Sequence, residues 1–343
     1  MQRARIRKKS EAELRIRIIG KEELVEKVSR AAIILIFFNS LGFPGKMTEI
    51  IGSASDLGFQ YFCFLLEILL MVFVGTKGLK NIAIIDIDRR FFPIYLYIST
   101  VFIVSMAVTS NRSEQIITCI RLCVTALFAI WISKRYSIEE LIEDLCKAQW
   151  LIILCLFIMM ILRPNSAFVH EVGDHDFVGI MKTKNNMAAE ASLGIMMFLL
   201  RSWFQKMHHE KTDKWTSFGI VIQAVLLVLC NATGSLIGAI IAFSFLMYDK
   251  RNEGQKRIPV GVAYAAMSPL FPAAALTIIP IFEPFLNAIG KDATLTGRIP
   301  LWRQIVNIMT HYNTFTGYGF GMAWRNHSVV SLIHSAFGRY SFM

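Results

Sequence analysis

Apolar residues in this chain gather into long runs separated by short charged stretches. They do not alternate with polar ones, as they would along the strands of a soluble sheet. Nine runs stand out, at about 31–43, 57–76, 91–108, 114–133, 148–163, 185–201, 216–231, 234–249 and 258–280. Several approach the ~20 residues that a helix needs to cross a hydrocarbon core. Lipid cannot satisfy the edge of an open sheet, so these runs predict helices. The expected fold is an all-α polytopic membrane protein of about nine transmembrane helices. A large outward-facing loop follows them. The run Ser328–Phe337 (SVVSLIHSAF) is too short to add a span. Three regions result: a cytoplasmic basic N-terminus (1–30), a transmembrane bundle (31–280) and a loop (281–343) whose C-terminal side is expected to be incomplete.

Composition agrees with the pattern. Hydrophobic residues make up 55% of the 343, and mean hydropathy is +0.50, high for a soluble domain. The net charge of +11 raises the question of a nucleic-acid partner. Topology accounts for most of it. With the N-terminus in the cytoplasm, the inward segments hold 25 Lys and Arg, and the four short outward loops hold five. That is the bias of the positive-inside rule. The basic leader has no interleaved aromatic residue, which argues against nucleic-acid binding. It ends without an A-x-A-like site, so no cleavable signal peptide is expected. The six cysteines form no C-x-x-C pair and read as small packing residues. Everything after about Pro280 is then extracytoplasmic.

Three places could carry chemistry. The outward loop after Arg163 holds His170, Glu171, Asp174, His175, Asp176, Lys182 and Lys184. Its imidazoles and carboxylates allow a divalent metal, although the H-E-x-x-D-H-D spacing fits no closed zinc site. Lys184 and Asn185, at the predicted start of a helix, allow an anion site instead. A solvated loop is the third reading. The second place is LTGRIPLWRQIVNIMTHYNTFTGYGFGMAW, residues 295–324. Asp292 or Thr294 is positioned to cap a helix from about Gly297. Ile299, Leu301, Trp302, Ile305, Val306, Ile308 and Met309 would share its apolar face, with Arg298, Arg303, Gln304 and Asn307 largely off it. Such a helix, about 13 residues long, would lie on the membrane surface. Its glycine and aromatic continuation suits a sugar platform, an interfacial anchor or a structural turn. The third place is intramembrane charge: Glu67, Arg121 and Glu190. Glu67 and Arg121 either pair, or Arg121 faces outward as an anion contact.

LTGRIPLW followed by GYGFGMAW resembles the large-loop signature of the O-antigen ligase and polysaccharide polymerase superfamily. The exopolysaccharide production (ExoQ-like) branch is the nearest in pattern. Its T-G-R-x-x-x-W corresponds to Thr296, Gly297, Arg298 and Trp302. Its G-Y-G-x-G…W corresponds to Gly317, Tyr318, Gly319, Gly321 and Trp324. The earlier loop agrees in order, with Gly173, Asp174, Gly179, Met181, Lys184, Asn185, Met187 and Ala188. The resemblance covers roughly residues 31 to 334.

It implies a metal-independent glycosyltransferase without a cofactor, working in exopolysaccharide or O-antigen biosynthesis in the bacterial inner membrane. The donor would be a glycan on a polyprenyl (undecaprenyl) diphosphate. Cations would stabilise the departing diphosphate, with Arg298 as the catalytic cation and Lys184, Arg121 and Arg303 as contacts. His327 or His334 would serve as base. Asp174, His175, Asn185, Trp302, Tyr318, Gly319 and Trp324 complete the expected substrate-binding set. Other polysaccharide export proteins would be partners. The family continues with A-H-N-x-x-L and further spans, where this chain reads NHSVVSLIHSAFGRYSFM. A C-terminally truncated, inactive member is therefore an alternative. So is a polysaccharide or lipid-linked oligosaccharide flippase, although no internal repeat supports one.

Overall fold

The computed structural model describes residues 23–40, 54–74, 89–109, 112–171, 174–209, 211–232, short pieces within 234–244, 303–308 and 310, 317–321, 329–331 and 333. It is mostly helical. In chain order come α1 (23–40), α2 (Ala54–Leu69), α3 (Phe92–Val108), α4 (Arg112–Arg135), α5 (Ile138–Leu162), α6 (Lys184–Met207) and α7 (Lys214–Leu229). A π-helical turn, Leu70–Val74, continues α2, and a 3-10 turn, Arg89–Phe91, leads into α3.

Four of these helices are long and apolar enough to cross a membrane: Arg89–Val108, Arg112–Arg135, Ile138–Leu162 and Lys184–Met207. The chain is a membrane protein on this ground. The runs at 57–76, 216–231 and 234–249 form shorter apolar helices. Residues 31–40 of the first run belong to α1, and the run at 258–280 lies outside the described residues.

Helix boundaries follow local chemistry more than hydropathy. α5 begins ten residues before its apolar run because Ser137 and Glu140 form a capping box. The Ser137 hydroxyl accepts from the Glu140 N–H at 3.3 Å, and the Glu140 carboxylate accepts from the Ser137 N–H at 2.8 Å. The described part of α1, from residue 23, includes a charged stretch with an exposed Glu23–Lys27 pair one turn apart. The connection between α5 and α6 is not a plain loop. Phe168–Glu171 and Asp174–Phe177 pair as an antiparallel hairpin, β1–β2, with His170 opposite His175.

The chain divides into two compact units. The first holds residues 1–86 and 127–246, and the second holds 87–126 and 247–343. In the first, α5, α6 and α7 pack side by side. Gly194 of α6 and Gly219 of α7 permit the approach. A Cβ on Gly219 would stand 2.7 Å from the Phe198 ring, and one on Gly194 2.5 Å from the Gln223 amide nitrogen. α1 joins this unit through Ile33 and Ile36, which are buried with Cys63, Phe128 and Ile132. Arg30 clasps Asp144 of α5 through Nε and Nη2, at 3.0 and 2.8 Å. Leu154, Ile161, Val221 and Val228 remain exposed on α5 and α7, as suits side chains that face lipid.

Candidate functional site

In the first unit the hairpin is seated against the start of α6. Both the Val178 and Gly179 N–H groups donate to the Ala167 carbonyl, at 2.9 and 3.1 Å. Phe177, Ile180 and Met181 are buried with Leu156 of α5 and Met187 of α6. Gly179 has φ +53°, and a Cβ there would meet Met187 Sδ at 2.9 Å. Glycine is therefore required on both conformational and steric grounds. The next residues open α6. Thr183 is its N-cap, with its hydroxyl accepting from the Asn186 N–H at 3.2 Å. Lys184 and Asn185 occupy the first turn, as the sequence led us to expect, with Lys184 half-buried and Asn185 exposed. Asp174 and His175 lie on β2, opposite Glu171 and His170. Their side chains fall outside the described residues.

Deeper in the same unit, three polar side chains join three helices. Gln149 of α5 donates through Nε2 to Glu190 Oε1 of α6 at 2.7 Å. Gln149 Oε1 accepts from Gln223 Nε2 of α7 at 2.9 Å. Their exposures are 0%, 5% and 1%, so all three side chains are buried. Sequence reasoning flagged Glu190 by its charge. It missed both glutamines, which carry none.

The second unit holds the glycine turn. Gly317, Gly319 and Gly321 all have positive φ, at 61°, 91° and 71°. Three L-residues with side chains would be strained there, so the alternate glycines set the path of the turn. The turn is fixed through the main chain of Phe320. Its N–H donates to Ser105 Oγ of α3 at 2.9 Å, and its carbonyl accepts from Gln115 Nε2 of α4 at 3.3 Å. Gln115 Nε2 also reaches Cys119 Sγ at 3.2 Å. The turn thus sits where α3 ends and α4 begins. Tyr318 is half-buried and packs against the cluster of Ile308, Val329 and Ile333. That contact joins the turn to the helical residues 303–308, part of the expected amphipathic helix. Ile308 is buried there and Arg303 is exposed, as expected, but Val306, expected on the apolar face, is exposed. Arg121 is half-buried on α4. Phe320, which the sequence reading did not single out, is the more exposed aromatic of the turn, at 39%.

The expected site residues therefore divide. Lys184, Asn185, Asp174 and His175 belong to the first unit, and Arg121, Arg303, Tyr318 and Gly319 to the second. Arg298, Trp302, Trp324, His327 and His334 lie outside the described residues. Comparison with known proteins finds no matching family model, no matching curated protein and no matching solved structure.

Proposed function

We propose that the chain is a membrane glycosyltransferase that polymerises or ligates glycans carried on a polyprenyl diphosphate. An acceptor sugar hydroxyl attacks the anomeric carbon of the donor. The new C–O bond forms as the bond to the diphosphate breaks, the hydroxyl proton passes to a base, and the lipid diphosphate leaves with the electron pair. The observation that carries this reading is the glycine turn. Three positive-φ glycines bring a backbone with an exposed aromatic onto the adjoining ends of two apolar helices. The positive-inside pattern assigns those ends to the outer face, where lipid-linked glycans are consumed.

Two further features support it. Lys184, in the first turn of α6, places positive charge at the positive end of the helix dipole, a setting suited to phosphate. Arg298, beside the amphipathic segment, is the cation we assign to the developing diphosphate charge, and His327 or His334 is assigned as base. The site would face the periplasm from the inner membrane of a bacterium. The flippase reading draws less support, since among the described residues the polar chain across α5, α6 and α7 is buried.

The test is complementation of the source strain with this gene deleted, scored by polysaccharide chain length on a gel. The native gene is expected to restore long chains. Arg298→Ala and Lys184→Ala should lose them while the protein stays at normal level in the membrane. Full chain length in both variants would remove the reading.

A further inference from the structure

α3 is apolar along its length, and Ser105 is its one buried residue. On the part of α4 that belongs to the second unit, the buried positions are Gln115 and Cys119, one turn apart. In a helix pair otherwise suited to lipid, two of these three buried side chains, Ser105 and Gln115, reach the glycine turn. Ser105 accepts from the Phe320 N–H, and Gln115 donates to the Phe320 carbonyl. Both polar groups of one residue's backbone are thus held by side chains from two different helices. The fit is close. A Cβ on Gly319 would stand 2.8 Å from Gln115 Oε1, and one on Gly321 3.3 Å from Thr118 Cγ2.

We propose that Ser105 and Gln115 are positioning residues, a two-point latch that holds the Phe320 backbone so that the Phe320 ring is presented to the glycan. The role in glycan handling rests on the function proposed above, and the latch itself does not. A fixed backbone is what such a platform needs. An aromatic ring on a loose glycine loop would have to be ordered each time a sugar bound, at a cost in affinity. Here the ordering is already done by two helices. The latch is also selective about chemistry. Ser105 must accept and Gln115 must donate, so an isosteric Glu at 115 would set a carboxylate against the Phe320 carbonyl.

Disulfide trapping tests the latch without reference to activity. Thr118→Cys and Gly321→Cys are introduced together into the full chain, with a protease site in the 208–213 connection. After mild oxidation in native membranes and cleavage, linked fragments run as one band on a non-reducing gel. Each single-cysteine variant controls for the native thiols. The double variant is expected to link. Adding Ser105→Ala or Gln115→Glu should slow linking roughly fivefold each, the equivalent of one net hydrogen bond. Ser105→Thr, which keeps the hydroxyl, should restore the rate. Gly321→Ala, which brings the same strain without a thiol, is compared with the native chain by protease sensitivity near residue 320; where that sensitivity is unchanged, failure of the double variant to link overturns the latch, as does linking at one rate in all backgrounds.

Polysaccharide chain length in strains carrying Phe320→Ala or Ser105→Ala reads the second half of the proposal. Shorter chains with Phe320→Ala, whose linking is unchanged, are expected. Full-length chains in both variants, with linking still sensitive to Ser105, would leave a latch that serves no glycan. Intact chain synthesis with no linking would remove the latch and leave the proposed function standing.

Discussion

Two regions of this protein bury polar side chains among apolar helices, and they use them differently. Between α5, α6 and α7, Gln149, Glu190 and Gln223 bond to one another, side chain to side chain. On α3 and α4, Ser105 and Gln115 reach the main chain of Phe320, more than 200 residues away in sequence. The first arrangement fixes how three helices meet. The second fixes where a surface turn sits. In a membrane the hydrophobic effect does little to choose one helix partner over another, so hydrogen bonds and small residues do much of the choosing. The difference should appear in which property fails when each is disturbed.

The largest effect is expected at Gly194. A side chain there meets both Gln223 and Gln149 within 3 Å, so Gly194→Leu should part α6 from α7. We expect a loss of about 3 kcal/mol, read by unfolding in mixed detergent micelles. Gln149→Leu comes next. It removes two hydrogen bonds and leaves Glu190 and Gln223 without them, for about 2 kcal/mol by the same measurement. If Gln149→Leu were neutral, the buried chain would not be what selects the helix partners. Ser137→Ala, which removes the capping box of α5, should cost about 1 kcal/mol. The smallest global effect belongs to Ser105→Ala. Overall unfolding should move by less than about 1 kcal/mol, while protease sensitivity near residue 320 rises. A large global loss with Ser105→Ala would erase the contrast between the two regions.

Much of the helical frame could be read from the chain. The apolar runs at 91–108, 114–133 and 185–201 lie within helices, because hydropathy and helical hydrogen bonding ask for the same residues. The start of α5 was also readable. S-x-x-E at Ser137–Glu140 is a capping signature, but the polar turns after it hid the helix from a hydropathy reading. The hairpin was harder. Its His and Asp residues drew a ligand reading, while its pairing depends on backbone geometry and on the buried anchors Phe177 and Ile180. At the candidate site, Lys184 and Asn185 fell where the helix start predicted, and the glycines announced a tight turn. What the turn docks on was not legible. Ser105 and Gln115 contact its backbone, and a side chain that bonds to main chain leaves no motif at either end. Tyr318 was read as part of a sugar platform, an interfacial anchor or a structural turn; it packs against Ile308, Val329 and Ile333, and Phe320 is the more exposed aromatic.

The central claim is glycosyl transfer at the expense of a polyprenyl diphosphate. The most direct measurement uses the purified full chain in lipid nanodiscs, with lipid-linked glycan extracted from the membranes of the deletion strain and EDTA present throughout. Free polyprenyl diphosphate and lengthened glycan are quantified together by mass spectrometry. The account predicts that one polyprenyl diphosphate appears for each glycosidic bond formed and that both products disappear with Arg298→Ala. Folded protein that releases no lipid diphosphate, or that does so equally well with Arg298→Ala, would contradict it.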